Sequence, residues 1–133
     1  MASAARPPAP RTPALRTPAQ QSGDAAERSA RALLERAGLT WLASNVRCKV
    51  GEIDLVMRDA DALVFVEVRI RRSARFGGAA ASIDFRKRLR LQRAAQFYLQ
   101  RHYGARGWPA CRFDVVAIDG GRPEWIRAAF DAG

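Results

Sequence analysis

Two apolar runs carry acids where a buried strand would be expected to carry only valine or isoleucine: GEIDLV, residues 51–56, and VFVEVR, residues 64–69. Side chains along a strand alternate between its faces, so Glu52, Asp54 and Val56 share one face of the first run. Phe65, Glu67 and Arg69 share one face of the second. A hairpin turning symmetrically about the Ala60–Asp61 bond sets Asp54 opposite Glu67 and Glu52 opposite Arg69. Directly opposed Cβ atoms on antiparallel strands lie roughly 4.5–5.5 Å apart, where like charges destabilise the pair. A divalent cation would resolve the conflict, because Mg²⁺ takes one or two carboxylates and leaves its other positions to water and phosphate. Held by Asp54 and Glu67, Mg²⁺ or Mn²⁺ would activate water and stabilise charge developing on a phosphodiester, with the cation at position 69 facing the phosphate. Two other readings stay open. One acid could carry a raised pKa and share a proton, or Glu52–Arg69 could be a plain cross-strand ion pair.

The elements that must position these residues can be read from turn signals and periodicity. SGDAAERSARALLERAG, residues 22–38, predicts a helix with Asp24 as N-cap, Glu27 at the capping-box spacing and Gly38 as the stop. Ala26, Ala30, Leu33, Leu34 and Ala37 form its apolar stripe. TWLASNVRC, GEIDLVMR and ALVFVEVRI read as three strands, the last two forming an antiparallel hairpin. A basic loop, RRSARFGGAAAS, leads into a long helix from about Ile83 to Tyr103. CRFDVVAID is a fourth strand that can return parallel to a neighbour, and PEWIRAAF a short closing strand or hairpin return. The expected fold is α/β, a mixed central sheet flanked by helices in the order α-β-β-β-α-β.

The length of 133 residues suits one domain, placed at residues 21–133. Residues 1–20 hold five prolines, three arginines and no acid, including the near repeat RTPAL and RTPAQ, and are expected to form a disordered tail. So many prolines argue against a transit peptide's amphipathic helix, and no apolar segment resembles a signal peptide. No apolar run approaches the ~20 residues needed to span a bilayer, so no membrane partner is expected. Cys48 and Cys111 are too few for a disulfide framework or, with the single His102, a structural zinc site. They fit a reducing cytoplasm as small buried hydrophobes. No glycine-rich phosphate loop or GxSxG nucleophile turn is present. Lys and Arg number 23 against 13 Asp and Glu, a net charge of +10, which points to a polyanionic partner, nucleic acid first.

The run from GEIDLV through VFVEV, with SNVR before it, FRKRLRLQRAAQFYL after it and RFDVVAI near the end, resembles the YraN family of uncharacterised bacterial proteins over about residues 22–120. That family is similar to the restriction-endonuclease-like, or PD-(D/E)xK, nucleases, which include Holliday-junction resolvases and use Mg²⁺. The resemblance implies that Asp54 is the motif's first acid and Glu67 the second, with Glu27 the additional acid of resolvase-like members. It implies a nuclease core for the fold. One position departs: where the superfamily and most YraN relatives carry lysine, this chain has Arg69, whose guanidinium keeps its charge but does not deprotonate. Lys87 falls on the apolar stripe of the long helix with Leu91, Ala94, Ala95 and Tyr98. It either snorkels to solvent or reaches the carboxylates as a substitute cation.

Arg86, Arg90, Arg93 and Phe97 recur on another face of that helix, and Arg71, Arg72 and Arg75 precede it. Such an arc would hold a phosphate backbone over the acids without reading sequence. A merely solvated helix face is the alternative. One of Trp41, Trp108 and Trp125 could stack on an unpaired base, but core or edge packing is the simpler role. Asp114 is either a turn-proximal acid near the site or part of an internal ion pair. The expected function is metal-dependent endonuclease action on branched or structured DNA. The alternatives are a DNA-binding protein that has lost catalysis through the change at position 69, and a non-enzymatic scaffold.

Overall fold

A computed structural model describes residues 17–71 and 83–130. The expected tail up to residue 16, and the loop that includes Arg72 and Arg75, lie outside the described residues. Helix α1 spans Pro18–Arg36, strands β1 Thr40–Cys48, β2 Gly51–Asp59 and β3 Ala62–Arg71, helix α2 Phe85–His102, and strands β4 Cys111–Asp119 and β5 Arg122–Phe130. A short 3₁₀ turn, Gly104–Arg106, links α2 to β4. The strands form one mixed sheet in the order β1-β2-β3-β4-β5, antiparallel except for the parallel pair β3 and β4. The closing strand is thus a full member of the sheet, one strand more than the expected order contained.

Helix α1 begins earlier than Asp24. Thr17 is its N-cap and completes a reciprocal capping box with Gln20, while Pro18 occupies the first turn, where a missing N–H costs nothing. The proline taken as a mark of the tail is a helix-start signal. At the other end Gly38 adopts φ +100°; its N–H donates to the Glu35 carbonyl and the Leu39 N–H to the Leu34 carbonyl, the paired bonds of a Schellman ending. Helix α2 starts two residues after Ile83 because the Asp84 carboxylate accepts the Lys87 N–H as an N-cap.

The helices cover opposite faces of the sheet. Ala26, Ala30 and Leu34 of α1 pack on Leu55, Met57, Val64, Val66, Val116 and Ile118. Leu91, Ala94, Ala95, Tyr98 and Leu99 of α2 pack on Ile53, Val56, Leu63, Phe65 and Phe113. Alternation holds along β3 but turns over in β2: Ile53 and Leu55, two residues apart, pack on opposite layers. The residue between them is Asp54. Among the described residues no helix is long and apolar enough to cross a membrane.

Candidate active site

The β2–β3 register follows the arithmetic set by the turn, with Asp59↔Ala62, Met57↔Val64 and Leu55↔Val66 paired. Continued one step, it places Asp54 against Glu67. There the regular ladder gives way: the Asp54 Oδ2 accepts the Val68 N–H at 2.8 Å, so a carboxylate does what a strand carbonyl would do. On the other side, the pairs Ser44↔Leu55 and Val46↔Ile53 bracket Asn45 and Asp54. Asn45, Asp54 and Glu67 therefore form one row across three strands, where β2 changes the layer it faces.

Glu67 is buried, at 5% exposure, and faces the α2 layer. The Lys87 ammonium reaches it at 3.2 Å from Oε1, and the Arg69 guanidinium stands 3.9 Å from the same oxygen. Lys87 resolves its two alternatives in favour of contact with the acids, while its side chain remains 38% exposed and open to a further partner. Burial, then the neighbouring Asp54 charge, push the Glu67 carboxyl up to about 7 despite the Lys87 ammonium. Asp54 is also raised, chiefly by burial, and the Val68 N–H and the hydrogen bond to Glu67 oppose that shift. A hydrogen bond between the two carboxyls pulls Asp54 down and pushes Glu67 up.

Helix α1 brings Glu27 to the same end of the sheet. Asn45 Nδ2 donates to Glu27 Oε2 at 3.2 Å, and the Glu27 carboxyl is raised by partial burial first and by the Asp54 charge second. A small cavity of about 200 Å³ lies beside them, lined in part by Asp24, Glu27, Ser44 and Asn45. Asn45 adopts φ +52°, a left-handed conformation that Asn tolerates better than most residues. A polar residue interrupting the apolar alternation of β1 was the available signal for this position, and it carried no role in the sequence reading. Among the described residues no three His, Cys, Asp or Glu side chains are grouped to hold one metal ion. Glu27 stands beside the Asp54–Glu67 pair, where it feels the Asp54 charge and accepts from Asn45. Two adjacent hard oxygen donors, Glu67 buried and Asp54 half-buried, would suit Mg²⁺ or Mn²⁺.

Glu52 forms an exposed ion pair with Arg47 at 3.5 Å, and its charge adds to the upward push on Asp54 and Glu27. Arg86, Arg90 and Arg93 are exposed on α2, and Phe97 with them. Arg71 ends β3, and its side chain lies outside the described residues, as do Arg72 and Arg75. Asp114 belongs to an internal ion pair: fully buried, it accepts Arg112 Nε at 3.0 Å, Trp125 Nε1 at 2.9 Å and the Ala128 N–H at 2.9 Å. Trp125 is thereby a packing residue, and Trp41 lies under the Arg31 guanidinium at 4.0 Å. Both cysteines are free and half-buried, and burial pushes the Cys111 thiol up.

The sequence profile of Uncharacterised protein family UPF0102 matches residues 26–118, a span from within α1 nearly to the end of β4 that holds Glu27, Asp54, Glu67 and Lys87. Similar proteins include a UPF0102 protein of Xanthomonas campestris pv. campestris, 58% identical over 113 residues, which cover 84% of this chain and 92% of the relative. A UPF0102 protein of Bordetella petrii is 52% identical over 131 residues, covering 96% and 80%. One from Enterobacter sp. strain 638 is 50% identical over 111 residues, covering 84% and 85%. With a profile match across most of its sheet and relatives at more than half identity, the chain belongs to the UPF0102 family.

Proposed function

We propose that the protein is a metal-dependent endonuclease with a restriction-endonuclease-like core, hydrolysing phosphodiester bonds in branched or structured DNA. The observation that carries this reading is the convergence of Asp54, Glu67 and the Lys87 ammonium at one end of the sheet. Two carboxylates opposed in one hairpin repel each other, and the Lys87 ammonium beside Glu67 offsets part of that repulsion. The cost is understandable if the pair serves a ligand. Asp54 and Glu67 would hold Mg²⁺ or Mn²⁺, with Glu27 assisting through its charge, and the ion when bound supplies Lewis acidity toward a phosphodiester oxygen.

The chain's own residues do the rest. The Val68 N–H fixes the orientation of Asp54, and Asn45 fixes Glu27. Lys87, arriving from a helix, occupies the cationic place beside the second acid that related nucleases fill from position 69 of the strand. Its compact ammonium would neutralise charge developing on the phosphodiester from a different position than a guanidinium fork. The exposed arginines of α2 bind and orient the DNA backbone. The two free, half-buried cysteines are compatible with a cytoplasmic setting.

The second reading, a DNA-binding protein without catalysis, is favoured by one observation only, the guanidinium at position 69. Purified protein with Mg²⁺ or Mn²⁺ and a panel of duplex, single-stranded, flap and four-way DNA separates the two. Metal-dependent cutting that disappears in Asp54→Ala and Glu67→Ala is the expected outcome. Salt-dependent binding without cutting, indifferent to metal, would establish the second reading instead. No binding to any nucleic acid at low salt would leave the scaffold.

A further inference from the structure

Helix α2 contains no Asp or Glu. Its exposed face carries Arg86, Arg90, Arg93, Phe97 and Arg101 at intervals of three and four residues, which makes a single stripe. Phe97 is the odd member, since it remains 47% exposed among cations. Beside it a groove of about 290 Å³ opens between the second half of α2 and the edge strand β1. Leu42 and Val46 of the strand and Phe97 and Tyr98 of the helix supply its apolar and aromatic walls, and Arg47 and Arg101 stand on its rim.

An apolar slot walled by aromatic rings and rimmed by guanidinium groups asks for a ligand with flat apolar faces and negative charge. Unpaired nucleotides have both, and aromatic side chains beside a cationic track are how single strands are held without sequence readout. A second copy of the chain is disfavoured by like charge around the groove. A lipid surface would require a broad exposed apolar face, whereas the apolar face of α2 is buried on the sheet and Phe97 is one ring. Phe97 follows Lys87 by ten residues, about 15 Å along the helix, or roughly four stacked nucleotides of one strand. Arg90 and Arg93 lie between them.

We propose that this groove takes an unpaired base of the DNA whose backbone crosses Asp54, Glu67 and Lys87, so that Phe97 and its arginine rim select strands with a single-stranded segment. This rests on the nuclease reading for the identity of the partner. The test is fluorescence anisotropy in EDTA, with a labelled oligodeoxythymidylate and a blunt hairpin duplex of equal charge, on wild type, Phe97→Ala and Phe97→Trp. Phe97→Ala is expected to weaken binding of the single strand about tenfold or more and that of the duplex less than twofold, with Phe97→Trp restoring it. Unchanged thermal midpoints confirm that the exposed site was altered without harm to the fold. Equal losses on both DNAs, or no loss on either, overturn the groove. If metal-dependent cutting persists with no effect of Phe97→Ala, the groove alone falls. If wild type binds neither DNA, groove and nuclease reading fall together. If it binds phosphatidylserine vesicles through Phe97 instead of DNA, the occupant is a membrane surface and the proposal is wrong.

Discussion

The burial that sets up the acid pair also gives it a pH signature. Glu67 has a folded pKa of about 7 against an unfolded value near 4.5. The folded state therefore holds the proton more tightly, which contributes stability below pH 4.5 that is lost as pH rises through about 7. In EDTA the wild type should lose up to about 3 kcal/mol across that window relative to Glu67→Gln, which cannot titrate. Denaturant midpoints at pH 5 and pH 8 measure it, and equal pH dependence in the two proteins would contradict the raised carboxyl. Mg²⁺ added at pH 8 should raise the thermal midpoint of the wild type and not of Asp54→Ala. Lys87 and Arg69 are separable in the same way. Lys87→Ala should lower cleavage by about 10²-fold or more, the scale of losing one transition-state donor. Arg69→Lys in that background should restore part of the rate if the ammonium's location, helix or strand, is interchangeable. A Lys87→Ala protein that cuts at the wild-type rate would remove the lysine from the chemistry. At this scale strand parity paired the acids locally, whereas helical periodicity left Lys87 between solvent and the acids, because its contact with Glu67 depends on the packing of α2 on the sheet.

Elements hold the site through a few tight points. Gly51, at the start of β2, leaves room for α2: a Cβ there would stand 2.8 Å from the Arg90 carbonyl oxygen. Gly51→Ala should thus displace α2, destabilise by about 1–3 kcal/mol and reduce cleavage through Lys87, readable as a lower denaturant midpoint together with a slower rate. Ala60 holds φ +53° in the β2–β3 turn, a conformation that costs a Cβ-bearing residue. Ala60→Gly should leave cleavage unchanged and alter stability by less than about 1 kcal/mol in the favourable direction. Asp114 clasps β4 to β5, where Ala128 adopts φ +47° opposite a register shift, so Asp114→Ala should cost about 3–5 kcal/mol without acting on the acids. The order of elements along the chain up to β4, the β2–β3 hairpin and a parallel return were readable because apolar runs and crossover length constrain them, whereas which neighbour β4 joins was not. The start of α1 was misread because Asp24–Glu27 and Thr17–Gln20 offer the same capping spacing, and the proline that decides between them was counted with the tail. Asp114 could not be assigned from sequence, since its partners Trp125 and Ala128 come from the neighbouring strand.

At the scale of the whole molecule, the proposed nuclease reading gives the net charge of +10 and the acid-free α2 the task of attracting a polyanion, and the neighbouring acids the task of acting on it. DNA affinity should fall steeply with salt, and replacing Arg90 or Arg93 by Ala should reduce the logarithmic salt slope by about 1 each while leaving sequence preference unchanged. A salt slope indifferent to both would place the backbone elsewhere. The charge and the arginine spacing were visible in the sequence. That they border a groove beside Phe97 was not, because β1 supplies its other wall. The most direct measurement is the single-turnover cleavage rate of a four-way DNA junction with Mg²⁺, Mn²⁺ or EDTA, for wild type, Asp54→Asn and Glu67→Gln. Cutting only with metal, reduced about 10²-fold or more in both variants while junction binding persists, is the expected result. Cutting that survives EDTA or either substitution, or tight junction binding with no cutting under any metal, would contradict the claim that Asp54 and Glu67 form a metal-dependent nuclease site.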